Sequence, residues 1–117
     1  MELNQYINLE YLNEIALGNL EFKKEMLQTF MKKTPQSIHQ MEQALQQEDF
    51  EQVGKIAHQL KTSFSFVGME SSVELCKKMQ EMGLKKIETH LLPECLIILK
   101  NNLILGLKEI ENELNTL

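Results

Sequence analysis

The chain has 117 residues, 43% of them hydrophobic, which is the length of one domain with enough apolar material for a core. Its twelve basic residues are all lysines and are outnumbered by seventeen acidic ones, leaving a net charge of −5. With no arginine and no basic footprint, nucleic acid is not an expected partner. Five glycines and two prolines leave too little turn chemistry for a many-stranded fold, and the abundant Leu, Met, Glu, Gln and Lys favour helix.

The expected fold is all-α. A short first helix spans residues 9–17, with Asn8 as its N-cap and Gly18 closing it. A long second helix covers residues 20–47, its apolar stripe made by Leu20, Leu27, Phe30, Ile38, Met41 and Leu45. Pro35 lies inside that pattern and predicts a kink or break near Lys33 and Thr34. Asp49 caps a third helix over residues 50–67, which Gly68 ends. A fourth runs over 70–82 and is stopped by Gly83. Residues 84–93 form a connection with a helical turn, and Pro93 opens a last helix to residue 114 that repeats Leu96, Leu99, Leu103, Leu107, Ile110 and Leu114. Four long amphipathic helices with short connections predict an antiparallel four-helix bundle with a short additional N-terminal helix, a single domain over 1–117.

The N-terminal stretch MELNQYINLEYL has neither the basic nor the apolar region of a signal peptide. The most apolar run, residues 91–107, is interrupted by Lys100, Asn101 and Asn102, and it reads as too short to span a bilayer. A soluble cytoplasmic monomer with no membrane contact is expected. Cys76 and Cys95 read as reduced, mostly buried thiols.

The third helix holds the one pattern that composition does not explain. At about 100° per residue, Val53, Ile56, Ala57, Leu60, Phe64 and Val67 fall on one side. His58 falls opposite, among Glu51, Gly54, Lys55, Lys61, Thr62 and Ser65. Gly54, one turn before it, removes a side chain that would roof the imidazole, at roughly 1 kcal/mol of helix propensity. Lys55 and Lys61, three residues to either side, make the face a local anion site. A neutral imidazole with a free ring nitrogen is a nucleophile.

The other polar residues form no comparable group. His39 and His90 have no metal-ligand spacing with His58, and neither cysteine sits in a C-x-x-C pair, so no metal site is expected. Glu42, Glu48, Asp49 and Glu51 read as capping and solvation around a helix end, and Met26, Met31, Met41, Met79 and Met82 as core filler. No Gly-rich phosphate loop or ATP-site motif is present, so neither ATP binding nor self-phosphorylation is expected.

The residues AHQLK around His58, followed by Gly68 ten positions later, resemble the active helix of the histidine-containing phosphotransfer (HPt) domain, whose pattern is A-H-x-L-K-G. Ala57, His58, Leu60, Lys61 and Gly68 match in place, and the likeness extends from residue 9 to about 82. Thr62 departs from the pattern, standing where the family has glycine. The resemblance implies that His58 accepts a phosphoryl group from an aspartyl phosphate on one receiver domain and passes it to another. It implies that Lys61 steadies the phosphoryl oxygens. Gln80, twenty-two residues after His58, stands where relatives often carry Gln or Glu. Its carbonyl is expected to accept the imidazole Nδ1–H and leave Nε2 free. Gly54, Lys55, Thr62, Ser65 and Gly68 are expected to meet the partner, with Ile7, Tyr11, Ile15 and Phe66 as candidates for an apolar dock. The implied partners are receiver domains of response regulators or hybrid sensor kinases, with no cofactor, since the magnesium ion of the transfer belongs to the receiver. The alternative is a non-phosphorylated helical adapter that docks on a receiver or kinase through the same face.

Overall fold

The structure, a computed structural model, describes residues 4–117. The first three residues of the N-terminal stretch lie outside them. Five α-helices follow one another: α1 Glu10–Ala16, α2 Leu20–Gln46, α3 Phe50–Phe66, α4 Glu70–Lys85 and α5 Leu92–Asn115, with a 3-10 turn at Thr89–Leu91 before the last. No strand occurs among the described residues.

The pairing is antiparallel, and side chains far apart in sequence report it. Along α2 and α5, Lys23 pairs with Glu113 at 3.4 Å and Glu42 with Lys100 at 2.8 Å, so one index rises as the other falls. Along α3 and α4, Gly54 lies against Leu84 while Lys61 reaches Gln80. Phe30 of α2 meets Phe64 of α3 edge to face at 5.9 Å. The overall extent of 43 × 23 × 19 Å is set by α2, whose 27 residues span about 40 Å. Leu27, Met41, Leu60, Phe64, Met79, Leu92 and Leu99 are fully buried along the axis.

Local chemistry accounts for several helix ends. Asn19 Oδ1 accepts from Phe22 N at 3.0 Å and Asp49 Oδ1 from Gln52 N at 3.2 Å, which satisfies donors that the helix leaves unpaired. Asn8 Oδ1 accepts from Glu10 N at 3.0 Å, although the N-cap position of α1 is Leu9. Gly68 takes a left-handed φ of 66°, and a side chain there would strike the backbone of Asn8.

Two expected interruptions, a break at Pro35 and a stop at Gly83, do not occur. Pro35 does not break α2, which continues through it. Proline removes the donor to Met31 and its ring crowds that residue's carbonyl, yet the apolar stripe on both sides holds the two halves in one helix. Gly83 does not stop α4, which runs on to Lys85 and closes with Lys86 at a left-handed φ of 55°. A Cβ on Gly83 would lie 2.5 Å from Phe50 O and 2.7 Å from Gly54 N, so this glycine lets α3 and α4 touch.

α5 is long and apolar enough to cross a membrane by length and composition alone, contrary to the shorter run expected. Here Leu92, Leu96, Leu99, Leu103 and Ile110 of that helix are buried in the bundle.

Candidate functional site

His58 projects from the outer face of α3 and is exposed, as its position opposite the buried stripe requires. It makes no hydrogen bond among the described residues, so neither ring nitrogen is tied to a protein partner. Thr62, one turn on, is exposed beside it, and Ser65 Oγ donates back to Lys61 O at 2.9 Å.

The two lysines behave differently. Lys55 pairs with Glu51 one turn earlier at 3.4 Å, both side chains being more than half exposed, so the pair is screened and loose. Lys61 is half-buried and leans across to α4, where its Nζ donates to Gln80 Oε1 at 3.2 Å. Its charge also reaches Cys76 on the same helix, although burial dominates there and pushes the thiol up to about 12. Cys76 is therefore a protonated core group rather than a nucleophile.

Gln80 thus does not meet the role expected of it. Its carbonyl is engaged by Lys61, and no hydrogen bond joins it to His58. The reason lies in the register of α3 and α4. His58 and Lys61 are neighbours one turn apart on the same face of α3, and of the two the lysine lies on the flank nearer α4. An ammonium can only donate, so the amide oxygen turns toward it.

Gly54 and Gly68 also have structural explanations. Gly54 is buried, and a Cβ there would lie 2.9 Å from both Leu84 Cγ and Leu84 N and 3.1 Å from Gln80 O. The space its missing side chain opens is filled by Leu84 of α4 and is not left open above the imidazole. Gly68 is held in the turn against Asn8, whose N donates to Val67 O at 2.9 Å. Of the residues expected to meet a partner, Lys55, Thr62 and Ser65 are exposed.

Beside this polar face lies an apolar one. Tyr11 is 51% exposed and stacks obliquely on half-buried Phe66 with ring centroids 6.0 Å apart. Ile15 is exposed on the same short helix, whereas Ile7 is 4% exposed and belongs to the core. A cleft of about 160 Å³ between α2 and α3 adjoins Phe66 and is lined by Met26, Phe30, Lys33 and Ser63 among others. No group of three or more metal-ligating side chains occurs among the described residues.

The Lys61–Gln80 contact and the Leu84 cover over Gly54 were not read from the sequence. Only the Glu51–Lys55 pair carried a signal, the four-residue spacing of a helical ion pair.

No curated protein and no solved structure matches the chain. The family model of the Hpt domain matches residues 25–117, most of the chain, including α5 and excluding the short first helix. With an all-helical bundle that presents the A-H-x-L-K histidine on an exposed helix face, the chain belongs to the Hpt domain family, whose members carry out histidine phosphotransfer in phosphorelays.

Proposed function

We propose that His58 carries the phosphoryl group, taking it from an aspartyl phosphate of one receiver domain and giving it to the aspartate of another. The observation that supports this most is the exposed imidazole beside a lysine that a second helix holds in place. With the ring proton on Nδ1, the Nε2 lone pair attacks phosphorus. An N–P bond forms as the P–O bond to the aspartyl carboxylate breaks, and that carboxylate leaves with the bonding pair. The second transfer reverses these roles, with a receiver carboxylate attacking and the imidazole leaving.

Lys61 supplies positive charge where three phosphoryl oxygens share negative charge in the transition state. An ammonium has three donors, and Gln80 occupies one, which leaves two for those oxygens. In this reading Gln80 is a positioning residue that acts through the lysine and not through the imidazole. Lys55, Thr62 and Ser65 provide the polar rim against which a receiver settles, and Tyr11, Ile15 and Phe66 an apolar surface beside it. The chain is a carrier that brings no nucleotide site of its own.

The test is incubation with a receiver carrying radiolabelled aspartyl phosphate. The chain should acquire an acid-labile, alkali-stable label, His58→Gln should abolish it, and His39→Gln and His90→Gln should retain it. A His58→Gln chain that still accepts label contradicts the carrier reading. A wild-type chain that binds the receiver without accepting label identifies the adapter instead.

A further inference from the structure

α5 has a second apolar face that the bundle does not use. Ile97 is 60%, Ile104 53% and Ile98 46% exposed, and half-buried Leu105 lies between them. At 100° per residue these four straddle a line through Glu94, Asn101 and Lys108, all three exposed. Three exposed isoleucines on one helix face are a substantial apolar surface to leave in water.

The arrangement of this face is symmetric about Asn101. Ile98 and Ile104 lie three residues to either side of it, Ile97 and Leu105 four, and Glu94 and Lys108 seven. A two-fold axis through Asn101 would bring each Glu94 opposite the Lys108 of a second copy. It would also bring each Ile98 opposite an Ile104, each Ile97 opposite a Leu105, and the two Asn101 amides together. Neither Glu94 nor Lys108 makes an ion pair among the described residues. A lipid-facing helix would gain nothing from a carboxylate, an amide and an ammonium along the middle of its apolar face. An antiparallel helix pair uses all three, the central amide fixing register as buried polar residues do in helical seams.

We propose that the outer face of α5 is a homodimer interface, filled by the same face of a second copy running antiparallel. The seam from Glu94 to Lys108 covers about 21 Å of helix, which places the contact at the small, transient end of protein interfaces. Dimerisation is therefore concentration-dependent, and it replaces the monomer expected from the sequence. α5 packs on α2 and α4 and lies diagonally across the bundle from α3, so the dimer leaves both His58 faces open.

Sedimentation of the full chain from micromolar to near-millimolar concentration should show the mass rising from monomer toward dimer. Glu94→Lys alone and Lys108→Glu alone each put like charges across the axis twice, and each should weaken the dimer about tenfold or more. The double variant Glu94→Lys/Lys108→Glu restores opposite charges and should recover most of the affinity. Asn101→Cys in a Cys95→Ser background should form a disulfide-linked dimer under mild oxidation. A chain that stays monomeric throughout overturns the proposal, and so does a dimer indifferent to both single reversals.

Discussion

Lys61 occupies the pivotal position at the residue scale, because it is tied to α4 while the histidine beside it is free. In the proposed function, removing it takes charge from the phosphoryl group at the moment of transfer. Lys61→Ala should slow transfer by about tenfold to a thousandfold, the range for losing one electrostatic stabiliser. Gln80→Leu leaves the ammonium present but no longer anchored. It should cost several-fold to about tenfold, in keeping with one hydrogen bond of about 0.5–1.5 kcal/mol. Stopped-flow transfer from a phosphorylated receiver checks both, and adding Gln80→Leu to Lys61→Ala should change little further. Additive losses in the double variant would show that Gln80 acts on the histidine directly. The sequence made this residue visible and its partner not. Spacing along one chain placed Gln80 on the facing helix, but which of two α3 side chains it meets depends on the rotation of α4 about its own axis.

At the scale of elements, the α3–α4 contact rests on two glycines set against each other. Gly83→Ala gains about 1 kcal/mol of helix propensity but forces a methyl group to within 2.5–2.9 Å of Phe50 O and Gly54 backbone atoms. Overpacking of this kind costs about 1–3 kcal/mol or more, and the obstacle is backbone that cannot rotate away. The variant should therefore be less stable by up to about 2 kcal/mol, measured by urea denaturation, and a raised midpoint would place the helices farther apart. This glycine shows why helix ends were legible at Asp49 and Asn19 and misread at Gly83. A capping side chain bonds within its own segment, whereas a glycine in a helix is explained by an element about thirty residues away or by none. Pro35 is the same lesson in reverse, a local breaker overridden by a stripe that stays buried on both sides of it.

The α2–α5 contact can be tested by pH. The Lys100 ammonium beside Glu42 holds that carboxyl below its ordinary value of 4.5, through its hydrogen bond first and its charge second. A carboxyl with a depressed folded pKa contributes stability above 4.5 that is lost as pH falls through the folded value. In Lys100→Ala the titration of Glu42, followed by carboxyl carbon NMR, should move back up toward 4.5. A titration that does not move would mean that the two helices are not held in this register.

For the whole molecule, the bundle joins the polar face of α3 that carries His58 to an apolar surface on α1 and a second, separate apolar face on α5. The four long helices and their order were legible because each buries a continuous stripe, and stripes are written in the sequence. The outward stripe on α5 was not, since alternation alone does not say which of two apolar faces the other helices will take. Glu109 shows a similar limit: its carboxylate accepts from the backbone N–H groups of Gln5, Tyr6 and Ile7 at 2.9–3.0 Å, fastening the N-terminal segment to α5 across a hundred residues. The proposed function rests on one bond, phosphorus to the imidazole of His58. The most direct measurement is phosphorus NMR of the chain, labelled with nitrogen-15 at histidine, after transfer from a phosphorylated receiver. A single phosphoramidate signal coupled to Nε2 of His58, absent in His58→Gln, is the result expected. Phosphate on any other residue, or none on a chain that binds the receiver, would contradict it.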